Sequence, residues 1–225
     1  GTFGEAGTYS FYYSHQITSG EGGMIVCHNK HDYEILLSLR SHGWAREKFI
    51  QKKYKKNYAN LDPRFLFVNS GYNLRPTEIQ AAIGLNQFKR KNIFKENREF
   101  NRNLIIKEVY KNKNFDDQIN FVDLNKNINP SWFGLAVFID KKYKAQKSKY
   151  LNYLEKVGIE TRPIISGNFM NQPAIKLYGL DNKKEKFKNA QLLENLGFFI
   201  GLHTSKINSN LANYVASNLL KINKL

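Results

Sequence analysis

At 225 residues the chain has room for one generous domain or a domain and a half. With 41% hydrophobic, 14% aromatic and 24% charged residues it reads as a soluble globular protein, and no apolar run approaches the length that spans a bilayer. A single cysteine, Cys27, excludes an internal disulfide and any cysteine cluster built from this chain, while the +16 formal charge is spread among lysines without an RNP-like, zinc-finger or helix-turn-helix signature to organise it for nucleic acid. Such a charge suits long-range attraction of an anionic, phosphorylated substrate.

Residues 1–7 are glycine-rich and read as a loop feeding a strand over 8–12; the first five lack the charged start and apolar core of a signal peptide. The turn-prone 18–22 leads to a second strand over 23–27. Ile35, Leu36 and Leu39 have the spacing of a short amphipathic helix over 31–41. The polar, basic 48–60 is expected to be a surface excursion with little fixed structure. Pro76 stands where a helix would begin, since its missing N–H costs nothing in a first turn. Ile79, Ala82, Ile83, Ile93, Phe94 and Phe100 then continue the helical spacing to 106, with a break expected at 87–91.

Past 114 strands and helices alternate. Strands are expected over 118–124, 131–139 and 159–165, and helices over 144–157 (ended by Gly158), 184–196 and 209–220. The division that follows is a first part, 1–113, and a small α+β domain, 114–225, with Trp132 and Phe133 in its core.

Chemistry concentrates in Ser10-Phe11-Tyr12-Tyr13-Ser14-His15-Gln16-Ile17-Thr18-Ser19-Gly20-Glu21-Gly22-Gly23-Met24. Ser10 and Ser14 offer hydroxyls, His15 is titratable, and the glycines let backbone approach a ligand. By spacing alone His15 reads as a loop histidine, more readily structural or solvated than chemical.

The flanking residues add a resemblance. The segment resembles the cofactor-lysine motif of the sugar aminotransferases, fold-type-I pyridoxal phosphate enzymes acting on nucleotide-linked 4-keto sugars. Their pattern is Ser-Phe, three residues, Lys, then Gly-Glu-Gly-Gly. Ser10-Phe11 and Gly20-Glu21-Gly22-Gly23 fit, and His15 stands at the lysine. Leu39-Arg40-Ser41-His42-Gly43 is similar to the family's next block. Ser70-Gly71-Tyr72-Asn73-Leu74-Arg75-Pro76-Thr77-Glu78 resembles its Gly-Tyr-Asn segment and helix, and Val157-Gly158-Ile159-Glu160-Thr161-Arg162-Pro163 its C-terminal substrate-facing strand.

The resemblance implies an α/β fold: part of the large cofactor-binding domain of a fold-type-I (aspartate-aminotransferase-like) enzyme, followed by the small α+β domain. It implies a cytoplasmic homodimer with shared active sites, in which Ser10 bonds the cofactor phosphate and Asn73 a phosphate of the neighbouring subunit. From its own residues Asn73 is equally an Asx-type turn before the Pro76 helix. Arg162 is implied to bind oxygens of substrate or glutamate, its alternative being a surface ion pair. Glu21 is expected to shape its loop, and His42 to be structural.

Histidine in place of lysine cannot tether the cofactor covalently, yet it moves protons near neutral pH. Within the family that change marks the deoxysugar 3-dehydratases, which take an amino group from L-glutamate, pass through pyridoxamine phosphate and release ammonia. One dehydratase type carries an iron–sulfur cluster; ligating it takes about four thiolates, and 43–70, where that type places its cysteines, has none. The cluster-free type, acting on GDP-4-keto-6-deoxymannose in colitose synthesis, is therefore expected. An aminotransferase that leaves a stable amino sugar and a basic binding module without cofactor are the alternatives. Members of the family are longer at the N-terminus, where the ring stacked on the pyridine and the acid paired with its nitrogen reside. A chain that truly began at Gly1 is expected to bind the cofactor negligibly and to expose the face of a cut sheet.

Overall fold

The first two predicted strands pair with one another. β1 (Ala6–Ser10) runs antiparallel to β2 (Gly23–Cys27), Ser10 opposite Gly23 and Ala6 opposite Cys27, in a computed structural model that describes residues 1–125, 127–181 and 187–225. β1 stops at Ser10 rather than 12 because the Tyr12 amide turns back to donate to Ser10 Oγ at 3.3 Å. The chain divides into two compact units, Gly1–Lys91 and Asn92–Leu225.

In the first unit, α1 (Lys30–Arg40) is capped by Asn29, whose side chain accepts from the Asp32 amide at 2.8 Å. The excursion expected at 48–60 is instead partly helical, as α2 (Lys48–Lys55). Ile50 and Tyr54, four apart, share one face: Ile50 is buried with Ala45 and Leu66, and Tyr54 packs on that cluster. On the other side Lys53 donates to Glu34 of α1 at 2.9 Å. The apolar stripe is two residues wide, which is why a basic composition hid it.

α3 (Glu78–Lys89) begins with a capping box between Thr77 and Gln80. α4 (Lys91–Lys111) follows at once, the expected break falling at Arg90, whose amide bonds Gln87 and Phe88. α4 packs with the second unit: Ile105 and Val109 lie in its core. The compact boundary therefore precedes the change of sequence pattern at 113.

The second unit holds a four-stranded antiparallel sheet, ordered β3 (Ile119–Phe121), β4 (Gly134–Ile139), β6 (Gly197–Gly201), β5 (Thr161–Arg162). Leu135, Val137 and Ile139 alternate inward along β4 to meet Tyr150 and Leu154 of α5 (Lys147–Lys156) and Ala212 and Ala216 of α8 (Ser209–Leu219). α5 ends as expected: Gly158 takes φ 78°, its amide donates to Glu155 and that of Ile159 to Leu154, the pattern of a Schellman cap. α6 (Ala174–Leu177) is a single turn, and α7 (Lys188–Leu196) leads directly into β6. The start expected for that helix, 184–186, lies outside the described residues.

Three further points differ from the sequence reading. β6 has no counterpart in the sequence reading, because no turn signal separates it from α7. The strand expected over 159–165 shrinks to Thr161–Arg162: Pro163 has no N–H for the ladder and the chain leaves the sheet. Phe133 is exposed against Phe199 rather than in the core, whereas Trp132 does pack on the core beneath the Arg102 guanidinium at 4.2 Å. Among the described residues no helix is long and apolar enough to cross a membrane.

Replacing Ile50 by alanine is expected to remove about 2 kcal/mol or more of stability and to melt α2 before the rest of the first unit. Urea unfolding followed at α2 amides checks this; unchanged α2 protection would contradict the packing assigned to it.

Candidate functional site

The connection between β1 and β2 is a closed polar loop. Phe11 N–H donates to Gly22 O at 2.8 Å and Ser19 N–H to Phe11 O at 3.0 Å, so residues 11, 19 and 22 form its neck. A Cβ on Gly22 would stand 2.4 Å from Ser19 Oγ, and Gly20 holds φ 83°; these glycines are what the closure requires. Ser19 Oγ donates to Glu21 O at 2.9 Å, so Glu21 serves the loop through its backbone. Ser19 is buried, and its Cβ is 3.6 Å from where a side chain on Gly84 of α3 would begin.

His15 projects from this loop and is exposed. Its amide donates to Tyr12 O at 3.0 Å, and its ring stands edge-on to Tyr12, centroids 5.6 Å apart. Tyr12 in turn packs edge-on against Tyr13 at 4.5 Å. Desolvation and then the neighbouring Tyr13 push the Tyr12 hydroxyl above its ordinary range, so it stays protonated at neutral pH. Ser10, at the strand end, accepts from Tyr12 with its oxygen and keeps its O–H to donate.

These residues fit a phosphate-bearing pyridine cofactor in two respects: a hydroxyl donor at the strand end, and an accessible imidazole five residues on. They do not fit a covalent tether, since position 15 has no amine.

The second and third sequence blocks are bonded to each other. Tyr72 N–H donates to Leu39 O at 2.7 Å, His42 N–H to Tyr72 O at 2.7 Å and Leu74 N–H to Arg40 O at 2.9 Å, and Ser41 pairs with Asn73 as an isolated bridge. The approach is too close for side chains. A Cβ on Gly43 would lie 1.6 Å from Asn69 O, and one on Gly71 2.2 Å from Gly43 N. His42 holds φ 63° and Gly43 φ 80° at the crossing, a backbone role for His42. Asn73, central in this knot, has an exposed side chain beside the start of α3.

Arg162 belongs to the second unit and forms the surface ion pair that its composition allowed, donating to Glu160 Oε1 at 2.9 Å. Its strand is tied to α5, because Glu155 accepts from both the amide and the hydroxyl of Thr161. Those bonds, the amide first, hold the Glu155 carboxyl below its ordinary range. The structure thus puts Ser10 and His15 on one hairpin, Asn73 in the knot and Arg162 at a strand end. What sequence reasoning missed is the polar anchoring of the segment after Arg162 by Gln191 and Glu194 of α7, a signal carried by tertiary contacts alone.

The DegT/DnrJ/EryC1/StrS aminotransferase family model matches residues 1–219. The GDP-4-keto-6-deoxy-D-mannose 3-dehydratase of Escherichia coli O55:H7 is 35% identical over 207 residues, 90% of this chain and 51% of that protein. The structure of the E. coli enzyme of that name with bound hydrated PLP superposes with a TM-score of 0.77 at 30% identity, covering 97% of this chain and 55% of that one. A histidine-to-asparagine mutant of GDP-4-keto-6-deoxymannose-3-dehydratase with bound GDP-perosamine gives the same TM-score, identity and coverage. The chain spans about half the length of these relatives.

Two outcomes follow from this geometry. Gly43→Ala forces a Cβ onto backbone at positive φ and is expected to cost about 3 kcal/mol, read as a lowered urea midpoint; a shift under a third of that would contradict the close approach. For Glu155 the folded pKa lies below the unfolded one, so its contribution is present above the unfolded value and lost as pH falls through the folded value. The Thr161 amide resonance is therefore expected to titrate below the ordinary glutamate range and to lose that titration in Glu155→Gln.

Proposed function

We propose, for a chain that belongs to the DegT/DnrJ/EryC1/StrS aminotransferase family, that it performs the C3 dehydration of a nucleotide-linked 4-keto-6-deoxyhexose, GDP-4-keto-6-deoxymannose, with L-glutamate as amino donor. The observation that carries this is His15: an imidazole where the family's pattern has lysine, on a hairpin whose flanking residues 10–11 and 20–23 keep the family's Ser-Phe and Gly-Glu-Gly-Gly. Support comes from the named activity of the relatives and from the cofactor and GDP-sugar bound in their structures.

The balance is simple. Glutamate and one water give 2-oxoglutarate, ammonia and two electrons with their protons; these replace the C3 hydroxyl of the sugar by hydrogen, and the water released there offsets the one consumed. Pyridoxal phosphate, alternating with pyridoxamine phosphate, supplies when bound the electron sink for both halves. The protein's part is positioning and proton transfer. Ser10 would hold the cofactor phosphate through its O–H, and Asn73 a cofactor phosphate of the neighbouring subunit through a side-chain N–H. His15 would be the group that moves a proton at the cofactor's C4′ carbon and protonates the departing C3 hydroxyl. Being unable to form a covalent tether, it does not displace the amino group back toward simple transamination. Arg162 exchanges its surface pairing with Glu160 for oxygens of the substrate or glutamate.

A homodimer with shared sites, in the cytoplasm, completes the reading, within the synthesis of the deoxysugar colitose. No residue of α3 is buried, and Tyr72, Leu74, Ile79, Ile83, Leu85 and Phe88 are exposed around it, an apolar surface that calls for a partner.

In the complete polypeptide loaded with PLP, His15→Asn is expected to slow ammonia release and deoxysugar formation at least about 100-fold, with the cofactor still bound. Coupled ammonia assay and mass spectrometry of the sugar check this. An amino-sugar product from the unmodified protein, or no turnover of any nucleotide sugar, would reject the dehydratase reading.

A further inference from the structure

The segment that follows Arg162 is held in an unusual way. It leaves the sheet at Pro163, and Ile164 packs where a Cβ on Gly197 would lie, 2.9 Å away. Ile165 then adopts φ 48° with 83% of its surface exposed. A β-branched residue avoids that conformation unless its surroundings impose it. The imposition comes from beyond it: Gly167, at φ 62°, lies so close to α7 that a Cβ would meet Glu194 Cβ at 2.5 Å.

Two side chains of α7, three residues apart and so on one face, hold this segment through Asn168 and Asn171. Glu194 accepts from the Asn168 amide at 2.8 Å and, with its two oxygens, from the Asn171 side chain at 3.1 and 3.0 Å. Gln191 accepts from the side chains of Asn168 at 3.0 Å and Asn171 at 2.9 Å. Asn168 is 3% exposed, and its remaining oxygen accepts from Met170. Lys147, at the start of α5, locks the template by donating to Glu194 O and Gly197 O at 2.7 and 2.8 Å.

We propose that Gln191 and Glu194 are positioning residues for substrate recognition: they clamp segment 163–171 so that Arg162, serving the nucleotide sugar rather than glutamate, and the strained, exposed Ile165 are presented to that sugar in a single geometry. The proposal rests on the dehydratase reading. A clamp serving stability alone would have no need to hold a β-branched residue in a left-handed, solvent-facing conformation, and strain of that kind persists where a surface must be preorganised.

The test uses the complete polypeptide loaded with PLP and compares Glu194→Ala, Glu194→Gln, Arg162→Ala and the double alanine variant. Expected for Glu194→Ala is a KM for the nucleotide sugar raised about tenfold, the size of losing charge-assisted hydrogen bonds. The glutamate half-reaction, followed by cofactor absorbance, stays within about twofold, and the Asn168 amide exchanges faster. Glu194→Gln recovers most of the KM, and the double variant falls short of additivity because both act on one surface. Should Glu194→Ala fail to fold, Asn171→Ala, at an exposed position, breaks three bonds of the same network. An unchanged sugar KM with only a lower melting temperature, or equal losses in both half-reactions, overturns the proposal. A wild-type protein that turns over no nucleotide sugar sinks the dehydratase reading and the recognition role with it. Amide exchange still decides the clamp itself, since undiminished protection of 163–171 in Glu194→Ala would refute it.

Discussion

Three close approaches in the first unit leave no room for a side chain and frame the candidate site: Gly22 against Ser19, Gly43 against Asn69, and Gly71 against Gly43. Each contact closes a segment that the proposed chemistry needs. The first draws in the neck of the hairpin loop and so fixes the base from which His15 projects. The other two cross residues 39–43 with 69–74 and set Asn73 at the start of α3. Glycine there costs conformational entropy in the unfolded chain, and the recovered benefit is a rigid frame made of main-chain hydrogen bonds rather than of bulk. The apolar cluster of this unit is correspondingly small, with Ala45, Ile50 and Leu66 as its buried members.

The second unit is built on the opposite economy. Its sheet and the helices α4, α5, α7 and α8 enclose a continuous apolar core, and polar side chains fix the segments at its edge. Asn101 of α4 bonds His203 O, Ser205 O and the Ile207 amide, and Gln191 with Glu194 does the same for 163–171. A firm core with anchored edge loops is the arrangement in which substrate contacts can be specific without depending on loop stiffness alone.

Much of this was legible in the chain. The strand at 23–27, the helix break near 90 and the Gly158 stop each follow from local chemistry and are present in the structure, whereas the helix expected to begin at Pro76 is capped by Thr77 and begins at Glu78. The positions of Ser10 and His15 on one hairpin follow from the two strands and the glycines between them. What escaped reading depends on tertiary partners. α2 needs Leu66 to give Ile50 a place to bury, β6 needs β4 and β5 to become a strand, and the path of the chain once Pro163 has taken it off the sheet is set by the side chains of α7. The composition of 163–171 gave no hint of strain at Ile165, because the contact that accompanies it, Gly167 against Glu194, joins residues distant in sequence.

The central claim is that His15 occupies the place of a cofactor-bearing lysine. It is tested most directly by borohydride reduction of the complete polypeptide with PLP, followed by peptide mass mapping, in the wild type and in His15→Lys. The account predicts a pyridoxyl group at residue 15 of His15→Lys and none within residues 10–24 of the wild type. Absence of label at residue 15 in a folded, cofactor-binding His15→Lys protein, with another lysine labelled stoichiometrically in the wild type, would contradict it.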